Sequence, residues 1–327
     1  METPSIVVAG TSFPGIRTYL QEALPEARLD MIAPSALRER GCDAEVLIPA
    51  MSRVDGAMMD RIRGLRLVQQ WGAGLEGVDV AAATARGIAV ANVPAADTGN
   101  AESVAEWCVM AAIAVSRRLP ELASGIRAGG DWGQPLGRAL LGRSAGIVGL
   151  GGIGRALAAR LAPFGMRLAG VTRRPDAARA RALGLEWLGG LHELPDLLRR
   201  SDFLFLCLPL LPETRGIVDG PALALLPAGA CVVNAGRGGL MSEEALLRAL
   251  EEGRLAAAAL DVFEREPLDP RSPLLSRADV LATPHVAGAT DVSYRGIARG
   301  VAENVRRLRS GDPLLNCVNW PAPVVAR

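Results

Sequence analysis

Short apolar segments alternate with helical segments along most of the chain, and this alternation restricts the fold more than any other feature. In the first third, strand patterns occur at SIVVAG, RLDMI, EVLIPA, LRLVQQW and IAVANV, separated by helical or turn-rich stretches. Strands that alternate with helices form a parallel sheet, because a parallel connection needs a crossover segment. We therefore expect an α/β unit in this part of the chain.

A second alternating series begins after a long helical region. Residues 101–130 carry no strand pattern and indicate one or two helices with a break near Pro120, followed by a Gly/Pro-rich linker at 129–138. The strand patterns that follow are AGIVGL, RLAGVT, DFLFLCLP, ACVVNA, AAAALDVF and DVLATP, and residues 290–311 are again helical. A chain of 327 residues is long enough for two domains of ordinary size.

The ionisable residues exclude several kinds of partner and chemistry. The chain has 36 basic and 35 acidic residues, so we expect neither nucleic acid nor a membrane surface as a partner. No lysine occurs, which excludes Schiff-base chemistry and a P-loop lysine. Five scattered cysteines and only two histidines favour a cytoplasmic protein without a metal site. We find no signal-peptide pattern and no apolar run of the roughly 18 residues needed to span a membrane.

The second series opens with a glycine pattern typical of dinucleotide binding. Gly149, Gly151 and Gly154 form G-x-G-x-x-G between a strand pattern and a helical one. The first glycine permits a tight turn, the second lets backbone approach a pyrophosphate, and the third allows close helix–strand packing. The N–H groups of the helix N-terminus would bind the pyrophosphate, with Gly152 and Ile153 beside it. The alternative is a purely structural Gly-rich turn.

The end of the next strand indicates which cofactor binds. NAD-binding domains carry an acidic residue about 20 residues after the glycine pattern, where it binds the adenosine ribose. Here the strand ends in Thr172, Arg173 and Arg174. A guanidinium can hold a 2′-phosphate that a carboxylate would repel, so we expect a preference for NADP(H), with NAD(H) also accepted. The alternative is that the two arginines begin a solvated basic helix.

Ionisable side chains follow three of the predicted strands. Arg237 follows ACVVNA, three acidic residues follow AAAAL (Asp261, Glu264 and Glu266), and His285 follows DVLATP. Ligands bind at the carboxyl ends of strands in a doubly wound sheet, so these side chains should face the cofactor. Taken singly, each has a structural explanation as a loop cation, a surface charge or an inert histidine. An arginine, a carboxylate and an imidazole at one sheet edge together indicate a catalytic site.

These segments resemble the D-isomer-specific 2-hydroxyacid dehydrogenases, in particular the glyoxylate/hydroxypyruvate reductases. The matching stretches are NVPAADTGNAESVAE, GRSAGIVGLGGIGRALA, CLPLLPETRGIVDGPALALLPAGACVVNAGRGGL, LDVFEREPL and TPHVAGAT, in the family's order and spacing. The resemblance implies two doubly wound parallel-sheet domains with a cleft between them, and a homodimer. A flavodoxin-like substrate-binding domain would comprise 1–103 and 290–327, and a Rossmann NAD(P)-binding domain 104–289.

The resemblance also implies roles for the ionisable residues. His285 would be the general acid in the reduction of a small 2-oxo acid to the D-2-hydroxy acid by hydride transfer, and the base in the reverse reaction. Glu266, directly before the proline of LDVFEREP, would favour the protonated imidazole. Arg237 would bind the substrate carboxylate and polarise the oxo group. In the loop WGAGLEGVD, the N–H groups of Ala73 and Gly74 would bind the same carboxylate.

Further residues are expected beside the cofactor by the same resemblance. Asp261 would orient the nicotinamide amide, while Pro209 and Thr214 would lie along the adenosine side. The remaining expected contacts are Leu208, Ala235, Gly236, His285 and Gly288.

The identity of the substrate is indicated less sharply. LIPAMSR has no basic residue at Ala50, which disfavours a phosphorylated substrate such as 3-phosphoglycerate, and we expect no regulatory domain after residue 327. Formate dehydrogenases lack a carboxylate partner for the histidine, whereas a phosphite dehydrogenase stays open as an alternative. An alternative from another class is a nicotinamide-sensing binding protein of the corepressor type. Such a protein would need a peptide-docking surface or disordered flanks, and the sequence shows neither.

His192 and three tryptophans have simpler interpretations than a role in binding or catalysis. His192 lies in LHELPDLLRR, an amphipathic helical pattern. For Trp71, Trp132 and Trp320 a core position is favoured over closure of a substrate pocket.

Overall fold

The computed structural model describes residues 3–130 and 132–319, which form two compact units. The first unit is Met1–Asn100 with Thr290–Arg327, and the second is Ala101–Ala289. Each unit is built around a parallel β-sheet with helices. The α/β class predicted from the alternating pattern is confirmed.

The first unit contains a five-stranded sheet and a small two-stranded one. The large sheet consists of β1 (Ser5–Ala9), β2 (Arg28–Ile32), β4 (Val46–Ile48), β6 (Leu67–Gln69) and β7 (Ala89–Ala91). The small sheet pairs β3 (Cys42–Asp43) with β5 (Ile62–Arg63). The helices are α1 (Gly15–Ala23), α2 (Pro34–Arg40), α3 (Gly56–Met59), α4 (Val80–Ala85) and α12 (Asp291–Ser310). The order β2-β1-β4-β6-β7 is flavodoxin-like.

Helix α12 belongs to the first unit because its apolar face completes that unit's core. Thr290 caps its N-terminus by accepting the N–H of Ser293, and its residues Ile297 and Val301 are buried in the core beside β1. Gly296 allows the close approach, since a Cβ there would lie 2.0 Å from the carbonyl oxygen of Thr98. The two ends of the chain therefore contribute to one core.

A buried amide pair holds the segment that follows α12. The Nδ2 of Asn304 donates to Gln69 Oε1 at 2.8 Å and to the Leu315 carbonyl at 3.0 Å, and its Oδ1 accepts the Leu315 N–H at 2.8 Å. Both amide side chains are buried and hydrogen-bonded, so the free-energy cost of burying these polar groups is small. Cys317 then pairs in antiparallel fashion with Ala91, which covers the outer edge of β7.

The second unit contains a seven-stranded parallel sheet. Its strands are β8 (Ser144–Val148), β9 (Arg167–Thr172), β10 (Leu185–Gly190), β11 (Phe203–Leu206), β12 (Ala230–Asn234), β13 (Leu255–Leu260) and β14 (Val280–Ala282). Its helices are α5 (Asn100–Ser116), α6 (Leu119–Arg127), α7 (Gly152–Leu161), α8 (Ala177–Ala182), α9 (Leu194–Arg199), α10 (Gly220–Ala224) and α11 (Glu243–Glu251). The order β10-β9-β8-β11-β12-β13-β14 reverses direction between β8 and β11. At such a point ligands bind outside the carboxyl ends of the strands.

Both faces of this sheet are covered, which explains the nearly continuous apolar strands in the sequence. Along β11, Phe203 and Phe205 pack into the core on one face, while Leu204 and Leu206 pack into the core on the other. Successive side chains of a strand point to opposite faces, so a strand buried on both sides is apolar throughout.

Some elements differ from the sequence predictions, among them the short strands β3 and β5, which no strand pattern marked. Strand β10 was not predicted, because its glycines and half-exposed positions weaken the apolar pattern. The helix break predicted near Pro120 is confirmed and lies at Arg118, whose φ of 55° is left-handed. Pro120 itself fits the first turn of α6, where no N–H is needed. His192 lies in a 3₁₀ turn rather than an α-helix, and α9 begins after it.

The tryptophans only partly follow their expected positions. Trp71 is half-buried, with its ring 5.5 Å from that of Tyr294 in an edge-to-face contact. Trp132 is 95% exposed, so a core position was wrong for it. Trp320 lies outside the described residues.

The cysteine thiols, the lengths of the helices and possible metal ligands can each be compared with the sequence expectations. All five cysteines are free thiols. Burial raises the pKa of Cys207 to about 12 and is the main cause that raises that of Cys231 to about 11, so both stay protonated near neutral pH. Within residues 3–130 and 132–319, no helix has both the length and the apolar character required to cross a membrane. The same residues contain no His/Cys/Asp/Glu group that could hold a metal ion.

Candidate active site

His285 and Glu266 form a hydrogen-bonded pair after the carboxyl ends of two neighbouring strands. His285 follows β14 and Glu266 follows β13, and these strands pair in parallel. The Nδ1 of His285 lies 2.8 Å from Oε2 of Glu266, with side chains 33% and 19% exposed. An ionised carboxylate can only accept, so Nδ1 donates in this bond and Nε2 is left for another partner.

The surroundings of Glu266 keep its carboxylate ionised. Burial by itself would raise the pKa of Glu266, but the hydrogen bond and charge of His285 outweigh it. The N–H of Phe263 also donates to Oε1 at 2.9 Å, and the charge of Arg237 acts in the same direction. The resulting pKa lies below the usual value for glutamate.

Asp261 holds the loop that carries His285. Its carboxylate accepts the Thr283 hydroxyl at 2.6 Å and the N–H groups of Val286 and Ala287 at 2.8 Å. Its own carbonyl accepts the His285 N–H at 2.8 Å. Burial is the main cause that raises the pKa of Asp261, which is only 1% exposed. These bonds support His285 at a left-handed φ of 55°, which is uncommon outside glycine.

Arg237 lies in the turn directly after β12. Asn234, the buried last residue of that strand, donates from Nδ2 to the Arg237 carbonyl at 3.0 Å and accepts a backbone N–H of the same turn. The next residue, Gly238, touches the loop after β13, because a Cβ there would lie 1.8 Å from the carbonyl carbon of Phe263. The arginine turn and the glutamate loop therefore support each other directly.

The glycine loop after β8 has the geometry that a dinucleotide requires. Gly149 has a left-handed φ of 100°, and a Cβ on Gly154 would lie 1.9 Å from the Gly149 carbonyl oxygen. A Cβ on Gly151 would meet no atom of the described residues within 4 Å, so the loop is open there. Within residues 3–130 and 132–319, no side chain caps the N-terminus of α7, which begins with Gly152 and Ile153. Open space and free N–H groups fit a pyrophosphate.

The arginines at the end of β9 are open to solvent. Thr172 ends the strand, and Arg173 and Arg174 lie in a bend before α8, whose N-cap is Asp176. Both arginine side chains are exposed, and among the described residues neither guanidinium has a hydrogen-bond or ion-pair partner. Because α8 begins at Ala177, the two arginines precede the basic helix and are not part of it.

The other residues expected around the cofactor also lie after carboxyl strand ends. Thr214 is buried within the turn after β11, where its hydroxyl donates to the Pro209 carbonyl at 2.8 Å and accepts the Leu211 N–H at 2.7 Å. That turn also contains Leu208. The positions after β12 and β14 are Ala235, Gly236 and Gly288.

The loop expected to bind the substrate carboxylate lies in the first unit, after β6. Gly72 has a left-handed φ of 98°, and its carbonyl accepts the Val93 N–H at 2.9 Å. The carbonyl of Ala73 accepts Asn92 Nδ2 at 2.7 Å. Among the described residues, the N–H groups of Ala73 and Gly74 have no acceptor. Two such neighbouring donors can bind a small anion.

Sequence reasoning missed the residues that support this site. Thr283 and Asn234 make side-chain bonds to Asp261 and to the arginine turn, and Glu243 bonds the loop of Glu266. A signal existed for Asn234, which is a polar residue at the end of an apolar strand. Nothing comparable marks Glu243, because it lies about twenty residues from its partner on an ordinary amphipathic helix.

Comparison with known proteins agrees with this geometry. Residues 109–287 match the model of the D-isomer specific 2-hydroxyacid dehydrogenase, NAD binding domain. The chain is 38% identical over 311 residues to a D-3-phosphoglycerate dehydrogenase of Mycobacterium leprae, covering 94% of this chain and 54% of that protein. It thus spans about half the length of that relative. A glyoxylate reductase of Aeropyrum pernix is 34% identical, with 98% of this chain and 97% of the reductase covered.

A solved structure shows the same likeness over the full length. It is an NADPH-dependent glyoxylate/hydroxypyruvate reductase from Sinorhizobium meliloti in complex with NADP and malonate. The TM-score is 0.78 at 32% identity, covering 97% of each chain. The matched model and these relatives lead to one conclusion: the chain belongs to the D-isomer-specific 2-hydroxyacid dehydrogenase family.

Proposed function

We propose that the protein reduces a small 2-oxo acid to the D-2-hydroxy acid with NADP(H), and catalyses the reverse reaction. The observation that carries this proposal is the 2.8 Å contact between His285 Nδ1 and Glu266 Oε2 at the carboxyl edge of a sheet with an open glycine loop. An oriented imidazole beside a dinucleotide site provides a proton where a hydride is transferred.

Each candidate residue has one task in this reaction. The bound nicotinamide supplies or accepts the hydride. His285 donates a proton from Nε2 to the oxo oxygen, and takes it back in the oxidation. Glu266 fixes the orientation of the ring and stabilises its protonated form. Arg237 binds the substrate carboxylate, assisted by the N–H groups of Ala73 and Gly74.

The two units divide this work. We assign substrate binding to the first unit, with proposed domain limits of 1–103 and 290–327, because it contains the carboxylate-binding loop. We assign dinucleotide binding to the second, with limits of 104–289, because it contains the glycine pattern. Asp261 and the turn residues Leu208, Pro209 and Thr214 shape the second unit's strand ends, and their contacts with a cofactor belong to this proposal.

Glyoxylate or hydroxypyruvate is the proposed substrate, in preference to a phosphorylated acid. Ala50 presents only a methyl group where a phosphate would need a basic side chain. The glyoxylate reductase of Aeropyrum pernix, 34% identical to this chain, supports this choice.

NADP(H) is the proposed cofactor because two arginines, and no carboxylate, follow β9. Arg173 and Arg174 are exposed and, in the described part of the chain, bind no carboxylate that would have to be displaced. A guanidinium pairs with a 2′-phosphate through two charge-assisted hydrogen bonds. The similar reductase from Sinorhizobium meliloti is described as NADPH-dependent.

A homodimer in the cytoplasm is the proposed working form. Large apolar side chains are exposed along 119–141 of the second unit, which we call the apolar arm: Leu119, Ile126, Trp132, Leu136 and Leu141. Exposed large apolar side chains along one segment support a protein–protein contact there. Five free thiols suit a reducing compartment.

The proposal is tested by absorbance at 340 nm, which follows oxidation of NADPH or NADH with glyoxylate, hydroxypyruvate, pyruvate and 3-phosphohydroxypyruvate in turn. We expect the first two to react fastest, with NADPH preferred. His285→Ala should lower kcat by roughly 10²–10⁴-fold, because the proton donor is lost. Tight NADPH binding without turnover of any of these acids would instead support a cofactor-sensing protein.

A further inference from the structure

Two glutamates outside the catalytic pair bind each other's backbone. Glu264 Oε1 accepts the N–H of Glu243 at 2.8 Å, and the N–H of Glu264 donates to Oε1 of Glu243 at 2.6 Å. Glu243 is the first residue of α11, and Glu264 is two residues before Glu266. We call this reciprocal pair of hydrogen bonds the glutamate clamp. The clamp connects the loop after β13, which carries Glu266, to the N-terminus of α11 in the same unit.

The clamp acts on the part of the loop that the core does not hold. Asp261, Val262 and Phe263 are buried, so the beginning of the loop is anchored by packing. Glu264 and Arg265 are exposed, and the chain then returns to half-buried Glu266. Without the clamp, this exposed stretch would be held chiefly by the bonds of Glu266 and by the close approach of Gly238 to Phe263 and Glu264.

Helix α11 favours the clamp and offsets part of its electrostatic cost. The N–H of Glu243 is one of the first four of the helix and has no acceptor inside it, and a carboxylate at this end is stabilised by the helix dipole. Burial raises the pKa of Glu243; the N–H of Glu264 acts in the opposite direction, and the charges of Glu264 and Glu266 add to the rise. Two carboxylates are thus kept close despite their repulsion, which points to a positional role.

We propose that Glu264 and Glu243 are positioning residues that set the distance between Glu266 and His285. The inference rests on the proposed function for its kinetic consequence, but not for its structural one. If the exposed stretch shifts, the bond from His285 Nδ1 to Glu266 weakens and the imidazole loses its fixed orientation. Displacements of about 1 Å in catalytic groups can cost up to 10²-fold in rate.

The test compares three variants with wild type in the reduction of glyoxylate. Glu264→Ala removes the acceptor, and we expect kcat to fall about tenfold with the KM for NADPH unchanged, because only the acid–base pair is disturbed. Glu264→Gln keeps an acceptor oxygen and should restore kcat to near the wild-type value. Glu244→Ala is the matched control, since this neighbouring glutamate is 84% exposed and pairs only with Arg248 in the described part of the chain.

A second readout does not depend on turnover. With ¹⁵N-labelled histidine only two imidazoles are observed, and exposed His192 serves as the reference. When its ring is neutral in wild type, His285 should carry its proton on Nδ1, because Glu266 accepts there. In Glu264→Ala the proton should be distributed over both ring nitrogens, whereas Glu264→Gln should match wild type.

The outcomes separate this inference from the proposed function. Wild-type kcat and an unchanged tautomer in Glu264→Ala would overturn the clamp while leaving the reductase intact. Equal losses of kcat in the Ala and Gln variants, with a lowered unfolding temperature in both, would also overturn it, because the charge rather than the acceptor would then matter. Absence of turnover in wild type would refute the proposed function, and the tautomer comparison would still decide on the clamp.

Discussion

Glu266 is the residue whose ionisation the surrounding structure controls most directly. Its folded-state pKa lies below the usual value, since the bonds from His285 and Phe263 outweigh burial. A carboxyl group with a depressed pKa contributes stability above its unfolded pKa and loses it as the pH falls through the folded value. The catalytic pair should therefore persist through the range in which ordinary carboxylates begin to protonate.

Replacement of Glu266 by Gln should lower stability in a pH-dependent way. We expect the variant to unfold at a lower temperature than wild type at about pH 7, where the carboxylate is ionised. The difference should shrink as the pH falls below the usual glutamate range and through the folded-state pKa. Thermal unfolding of both proteins over this range measures it, and a difference that stays constant with pH would contradict the assigned ionisation.

Arg173 and Arg174 should decide the cofactor preference. In the double variant Arg173→Ala/Arg174→Ala we expect the ratio of kcat/KM for NADPH over NADH to fall about 10–100-fold, the value of lost hydrogen bonds to a charged group. Arg181→Ala is the control, because it removes an exposed arginine from the neighbouring helix α8. An unchanged ratio in the double variant would remove the arginines from the 2′-phosphate site.

In the loop between β8 and α7, one glycine of the motif serves cofactor binding and another serves packing. Gly151 faces open space, while Gly154 touches the Gly149 carbonyl. The sequence motif does not distinguish these glycines, but in the structure a substitution at each should have a different effect.

Replacement of these two glycines by alanine should therefore impair different properties, cofactor binding at Gly151 and stability at Gly154. Gly151→Ala should fold with nearly wild-type stability, since its Cβ meets nothing, but should weaken NADPH binding more than tenfold by blocking the pyrophosphate. Gly154→Ala should destabilise the protein by about 1–3 kcal/mol through overpacking. Thermal unfolding and fluorescence titration with NADPH distinguish them. Equal loss of stability in both variants would be inconsistent with the open space at Gly151.

At the scale of the whole molecule, the exposed apolar arm is the proposed contact between two copies of the chain. If it joins two copies, Ile126→Glu should shift the protein from dimer to monomer, because a buried unpaired carboxylate is costly. Leu275→Glu is the control, since Leu275 is 47% exposed and lies outside the arm. Light scattering after gel filtration measures the mass. A wild-type monomer, or a dimer that persists in Ile126→Glu, would argue against this contact.

Much of the architecture could be predicted because it depends on local patterns. Apolar strands such as those at 203–206 and 230–234 are buried on both faces, so their sequences are apolar throughout. The edge strand β10 lacks that pattern and was missed, and Trp132 is exposed although its residue type favours burial. In both cases the environment, and not the local sequence, determines the outcome.

By itself, the sequence determined the α/β class, the glycine loop and the residues that follow each strand, because these depend on residue type, period and order. The family resemblance already paired Glu266 with His285, but only the tertiary structure decided the distances and the supporting contacts. Glu266 lies 2.8 Å from His285, Asp261 binds the histidine loop, and Glu264 bonds Glu243. Such contacts join residues about twenty positions apart, and their distances depend on strand register and loop packing, which no local pattern encodes.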